Sequence, residues 1–298
     1  MGLFFNVIVP VIAVFAAGYV LQRIFHLDTK SIATASIYVF LPALVFTQLY
    51  EAEFDQRYTV VLVYAIILLV VMIVINKIFK LLFKWEQSVE SASILTSAFM
   101  NAGNYGVPVI LFAVGEEALP YAVFFMVIQT MFMNSFGVYY ASRSKSGFLK
   151  ALKTIFQLPA TYAAILAFIL QNITWEIPNS VYSTLSMLGD AAIPIMMVLL
   201  GMQLASITSI KLNWNVILSS LSARMVVSPL LAVGFIFLLD LDPVIGAVLV
   251  ILSSMPSAAT TTMYAIQFDT EPDLVSSITL VTTLFSVVSV TVLLNFIV

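Results

Sequence analysis

Two short stretches of this chain carry the residues best placed to bind a solute. The first reads Met100-Asn101-Ala102-Gly103-Asn104-Tyr105-Gly106-Val107-Pro108, the second Ser253-Ser254-Met255-Pro256-Ser257-Ala258-Ala259-Thr260-Thr261-Thr262. Each interrupts a hydrophobic run long enough to cross a bilayer. Proline lacks a backbone donor and clashes with the preceding turn, so a helix must break or kink at Pro108 and at Pro256. In lipid, the freed backbone groups survive only inside protein or beside a water-filled cavity. Interrupted spans at matching places in two halves mark the binding site of a transporter. A helix that stops at mid-membrane exposes carbonyls on its first half and N–H groups on its second. The amide end carries partial positive charge and favours an anion. If the two interrupted spans cross at their breaks, an anion is held there without any lysine.

The side chains around the breaks suit that chemistry. Asn101 and Asn104 have amides that both donate and accept. They either contact a carboxylate or cap the broken ends. Gly103 and Gly106 allow close approach of a ligand or a second backbone. Around Pro256 the hydroxyls of Ser253, Ser254, Ser257, Thr260, Thr261 and Thr262 can satisfy freed carbonyls. Ser257 and Ala258, at the start of the second half-helix, are the expected backbone donors to a ligand. The expected substrate-binding set is therefore Asn101, Asn104, Gly106, Pro108, Pro256, Ser257 and Ala258.

Two ionisable residues lie deep in hydrophobic runs, Asp190 before Pro194 and Arg224 before Pro229. A charge at that depth should face the bundle interior or a cavity. Either the two pair with one another, or Asp190 takes up a proton or sodium ion during transport. Arg224 is expected to anchor structure or to attract anions. Gln48, Gln129, Asn134 and Gln203 are expected to bridge helices.

These elements require a membrane. The chain of 298 residues is 62% hydrophobic and 9% charged, with mean hydropathy +1.09, against about 25% charged residues in a soluble domain. No cysteine is present and His26 is the one histidine, so thiolate or histidine metal sites are not expected. There is no nucleotide-binding loop and no nucleophile beside a base, so neither an enzyme, an ATP-driven pump nor a nucleic-acid binder is expected. Residues 3–22 read as a first membrane helix rather than a signal peptide, because no Lys or Arg precedes them. Asn172-Ile173-Thr174 fits a glycosylation sequon.

Spans of about 20 apolar residues are expected at 3–22, 31–50, 58–83, 88–115, 119–141, 151–171, 181–205, 213–239, 243–267 and 273–297. Alternate loops hold Arg23, Lys30, Lys77, Lys80, Lys84, Arg143, Lys145, Lys150, Lys153 and Lys211 on one side, against Arg57 alone on the other. By the positive-inside rule the first side is cytoplasmic and both termini are not. Pro10, Pro42 and Pro108 recur as Pro159, Pro194 and Pro256 at nearly constant offset. That echo predicts two inverted five-helix repeats, 1–141 and 151–298, joined by a short cytoplasmic link at 142–150.

Leu41-Pro42-Ala43-Leu44-Val45-Phe46, Asn101 through Pro108, Leu188-Gly189-Asp190-Ala191-Ala192-Ile193-Pro194 and Met255-Pro256 through Pro272-Asp273 resemble the auxin efflux carrier family, across essentially all ten spans. The resemblance implies an all-α fold like that of bile-acid symporters and NhaA-type antiporters, with crossed broken helices 4 and 9. It also implies a scaffold of spans 1, 2, 6 and 7, elevator-type movement of the remaining spans, and dimers through the scaffold. In that family the asparagine seven residues before the first crossover proline contacts the substrate carboxylate, which maps onto Asn101, and the crossover prolines map onto Pro108 and Pro256. The expected location is the plasma (inner) membrane. The long hydrophilic central loop of plant members is absent, and the short link resembles bacterial members, which makes auxin an unexpected natural substrate. No acidic residue lies at either crossover, unlike the sodium-coupled relatives.

The leading expectation is a carrier of small carboxylates that needs no cofactor. The competing reading is a proton- or sodium-coupled symporter or antiporter using Asp190. A channel or receptor without alternating access is the third.

Overall fold

The computed structural model describes residues 4–142, 158–173, 177–207 and 210–297. Its regular elements are all helical. Among the described residues, seven helices are long and apolar enough to cross a membrane: α1 (Phe5–Phe25), α2 (Thr29–Tyr50), α3 (Gln56–Phe83), α6 (Glu116–Ala141), α8 (Asn179–Ala205), α9 (Trp214–Leu239) and α12 (Pro272–Ile297). Between them lie shorter pieces, α4 (Gln87–Ser97), α5 (Ala102–Ala113), α7 (Pro159–Gln171), α10 (Pro243–Ser253) and α11 (Ala259–Phe268). The link at 142–150, apart from Ser142, lies outside the described residues, as do Arg143, Lys145, Lys150 and Lys153 and the threonine of the sequon.

Large apolar side chains lie on the outside. Phe237, Leu238 and Phe296 are 83%, 84% and 86% exposed, which water would penalise and lipid tails do not. The helix ends follow local rules. Asp28, Asp55 and Asp242 each accept a hydrogen bond from a backbone N–H two residues on, capping α2, α3 and α10. The Ser31 hydroxyl, and then the Lys30 N–H, hold the Asp28 carboxyl below the usual aspartate range. Pro159, Pro243 and Pro272 open α7, α10 and α12, where their missing N–H is no loss.

Inside the long spans proline acts more gently than the sequence suggests. Four of the five π-turns among the described residues, Phe4–Ile8, Ser36–Phe40, Ala102–Gly106 and Ala223–Val227, end two residues before a proline. The ladder slips by one residue to accommodate the missing donor, and the helix continues. Pro194 lies within α8 without ending it.

Packing sorts the helices into neighbourhoods. α1 lies along α8, and α2 packs on α7 and α8. A Cβ on Gly201 would collide with the backbone carbonyl of Phe15, so α8 and α1 approach at a distance only glycine permits. α3, α6, α9 and α12 surround the interrupted pieces α4, α5, α10 and α11.

Candidate functional site

The first interruption falls at Ala98–Asn101, between α4 and α5, not at Pro108. Pro108 sits inside α5, where the π-turn Ala102–Gly106 just before it accommodates its missing donor. Asn101 instead takes φ −80° and ψ 65°, outside the helical region, and this turns the chain. The second interruption, Ser254–Ala258, does contain its proline. Met255, preceding Pro256, is biased away from the helical conformation, and Pro256 offers no donor to continue the ladder.

The two interruptions meet. Met100 and Ser257 form an isolated antiparallel bridge. The Asn101 N–H donates to the Pro256 carbonyl at 2.8 Å, and the Ala258 N–H to the Phe99 carbonyl at 3.0 Å. Gly106 makes the approach possible, since a Cβ there would lie 2.5 Å from Leu252 Cδ2 and 3.2 Å from Met255 Cγ. α4 and α10 arrive with their carbonyl ends, and α5 and α11 leave with their amide ends.

On the carbonyl side the acceptors from Thr96 to Met100, and that of Ser253, are all engaged. Five consecutive carbonyls accept as follows: Thr96 from the Ser257 hydroxyl, Ser97 from Arg224 Nη1 at 2.8 Å, and Ala98 from Gln129 Nε2 at 3.0 Å. Phe99 accepts from the Ala258 N–H, and Met100 from the Ala102 N–H. On the other chain the Ser253 carbonyl accepts from Arg224 Nη2 at 2.8 Å and from the Ser228 hydroxyl at 2.8 Å. Arg224 is fully buried and bonds the last residue of both arriving helices, α4 and α10.

The amide side is different. The Asn101 side chain is buried, yet its Nδ2 has no hydrogen-bond partner. The first N–H groups of α5 and α11 have no acceptor within their own helices. Asn101, Asn104 and Ala258 line a cavity of about 330 Å³ bounded by α2, α6, α7, α8 and α11. Five methionines (Met100, Met126, Met133, Met196 and Met263) give it soft apolar walls, among the amides of Gln129, Asn134, Gln203 and Gln267. Tyr264 donates to Asn134 Oδ1 at 2.8 Å across it, and Gln203 Oε1 is a second buried atom without a partner. Lys30, exposed at the rim, is the one charged residue among those lining the cavity. A neighbouring cavity of about 260 Å³ shares Lys30, Ala33, Gln203 and Met263 and adds Asp273.

The sequence-expected residues divide accordingly. Asn101, Asn104 and Ala258 reach the cavity, whereas Gly106, Pro108, Pro256 and Ser257 are buried and do not line it. The two donors expected to face a ligand are engaged within the crossing: the Ala258 N–H bonds Phe99, and the Ser257 N–H bonds Thr282 Oγ1 at 3.3 Å. The next N–H groups, of Ala259 and Thr260, lead α11. Asp190 departs furthest from expectation. It occupies an exposed position on α8, lines neither cavity, and does not pair with Arg224, whose partners are Ser97, Ser228 and Ser253. The helix carries it around to the outer surface, because its neighbours Gly189 and Ala192 are the buried ones.

Three residues do more in the fold than their sequence context suggests: Lys30, expected as a loop charge, and Gln129 and Gln203, expected as helix bridges, all line the cavity. Gln129 does bridge, to Ala98, but it also lines the cavity. Nothing local in the sequence distinguishes these residues, because their meeting depends on which helices pack together.

The chain matches the family model described as membrane transport protein over residues 3–151 and 145–294. It is 27% identical to an uncharacterized transporter of Methanothermobacter thermautotrophicus, over 95% of this chain and 94% of that one. It is 30% identical to an uncharacterized transporter of Methanocaldococcus jannaschii, over 70% of this chain and 68% of that one. With its lipid-facing helices and paired interruptions, the chain belongs to the membrane transport protein family, the auxin-efflux-carrier-like group that its motifs resemble.

Proposed function

We propose that this multi-pass protein is a secondary carrier of small organic anions, of the carboxylate class that includes malate, malonate and indole acetate. The supporting observation is the buried, unpartnered Nδ2 of Asn101, a residue at the amide side of the crossing that lines a cavity with no acidic lining residue. Two helix N-termini contribute partial positive charge of about half a unit each, so together they suit about one negative charge. The Asn101 side-chain amide donates to the carboxylate, Asn104 and the leading N–H groups of α5 after Ala102 and of α11 complete its shell, and Lys30 draws anions to the rim. The methionine walls accept the rest of the molecule.

In this reading the ten spans form two inverted five-helix repeats. α1, α2, α7 and α8 stay fixed while the remainder, with the crossing, moves as an elevator. The protein lies in the plasma membrane with both termini outside the cytoplasm, so the cavity, with Lys30 at its rim, opens inward. The coupled reading built on Asp190 gains no support, since Asp190 lies off both cavities.

Uptake of labelled malate, malonate and indole acetate into proteoliposomes tests the proposal. At least one should accumulate, with competition from other carboxylates and loss in Asn101→Ala. If no member of a broad carboxylate panel moves or competes, the substrate class is wrong.

A further inference from the structure

The amide side of the crossing calls for an anion. The carbonyl side poses the opposite problem, and the chain solves it with one side chain. α4 and α10 end side by side, each with a partial negative charge of about half a unit at its carbonyl end. Such paired carbonyl ends are the kind of place where a transporter of broken helices coordinates a sodium ion or proton. Here Nη1 and Nη2 of Arg224 lie 2.8 Å from the Ser97 and Ser253 carbonyl oxygens, one on each helix end, while its Nε is buried without a partner. The planar fork matches two converging acceptors as a point charge does not.

Three further features bear on Arg224. First, it is fully buried, where an unmatched cation is costly. Second, the ion pairs among the described residues join Arg57 to Asp55 and Asp242, Lys80 to Glu90, and Lys211 to Glu271, so no carboxylate there reaches Arg224. Its counter-charge is the pair of helix ends, about one unit in total. Third, it stands in the π-turn Ala223–Val227 enforced by Pro229, and the next turn supplies Ser228, which bonds both Arg224 and the Ser253 carbonyl.

We infer that Arg224 is a resident cation: it occupies covalently the place where a coupling ion would bridge the two carbonyl ends. The crossing is then complete without sodium, potassium or a proton. The solute-binding half of the site works with no ion co-bound at its back. This holds whichever solute occupies the cavity, so it stands or falls separately from the carboxylate proposal.

The test uses the full chain purified in detergent and followed by thermal unfolding, with no substrate needed. Wild-type melting temperature should be the same in sodium, potassium and N-methylglucamine chloride of equal ionic strength. Arg224→Lys, which keeps the charge and loses the fork, should melt lower. Arg224→Met, similar in bulk but neutral, should melt lower still. Millimolar guanidinium should raise the melting temperature of Arg224→Ala and leave wild type unchanged. A saturable stabilisation of wild type by sodium or potassium would overturn the inference, as would Arg224→Met equalling or exceeding Arg224→Lys. If the Ala and Met variants fail to fold, the wild-type cation series and Arg224→Lys still decide it. In proteoliposomes, substrate uptake should proceed equally with sodium or N-methylglucamine outside; a sodium requirement would refute the resident-cation role. Absence of any carboxylate uptake would refute only the substrate class.

Discussion

The two sides of the crossing are made from the same two breaks and end in opposite conditions. On the carbonyl side five successive acceptors from Thr96 to Met100 are engaged, and Arg224 ties both helix ends together. On the amide side Asn101 Nδ2 is left unpartnered beside a cavity. An unpaired buried polar atom costs about 1–3 kcal/mol. Arg224 Nε is also buried without a partner, so the contrast is one of position: of the two atoms, only Asn101 Nδ2 belongs to a residue that lines a cavity. In the proposed reading one side holds the crossing together, and the other is where the solute binds.

Variants can sharpen or break that contrast. The largest effect is expected from Asn101→Ala. Loss of a hydrogen bond to a charged ligand, worth about 1.5–3 kcal/mol, should weaken transport affinity about 10- to 100-fold in proteoliposome uptake. Its melting temperature should hold or rise, since the amide nitrogen bonds nothing in the fold. A drop in stability instead would make Asn101 a cap and erase the distinction.

Gly106→Ala probes the contact between the two breaks. The new methyl meets Leu252 and Met255, and such overpacking costs about 1–3 kcal/mol, to be read as a lower melting temperature. Ser257→Ala removes the donor to the Thr96 carbonyl and the 3.1 Å acceptor of the Thr282 hydroxyl. It should cost about 1 kcal/mol with little change in substrate affinity. A larger loss of affinity than of stability would move Ser257 to the solute side.

The smallest effect serves as a control remote from both sides. Lys211 Nζ lies 2.7 Å from Glu271 Oε2, and that hydrogen bond, then its charge, raises the Lys211 pKa above the ordinary 10.5. A raised pKa means that the added stability is fully present below the unfolded value and is lost as pH rises through the folded one. For an exposed pair this amounts to no more than about 1 kcal/mol. Lys211→Met should therefore flatten the alkaline end of a stability–pH profile and leave uptake unchanged.

Much of this was legible in the residues. Pro256 marked its break because a helix interior cannot supply the missing donor or clear the ring. Pro108 lies inside α5, accommodated by the π-turn before it, and the break came seven residues earlier at Asn101. Asn101 and Asn104 were identifiable from their place beside the interruption. Arg224 was legible as a buried charge needing a partner, but its partners are backbone carbonyls from two other helices, which no side-chain pattern encodes. The outward placement of Asp190 was not legible, because hydropathy gives depth in the membrane and not direction around the helix.

Taken alone, the order of residues determined that the protein lives in lipid, where its chain is interrupted, and which amides stand at the interruptions. Those properties follow from hydropathy, proline chemistry and local spacing, all of which act within a few residues. The folded chain alone decided that Arg224 closes both carbonyl ends, that Lys30 and Gln203 share a cavity with Asn101, and that Asp190 faces outward. Each depends on helices distant in sequence packing side by side, as in the close approaches that Gly201 and Gly106 permit, and on the rotation of each helix about its own axis.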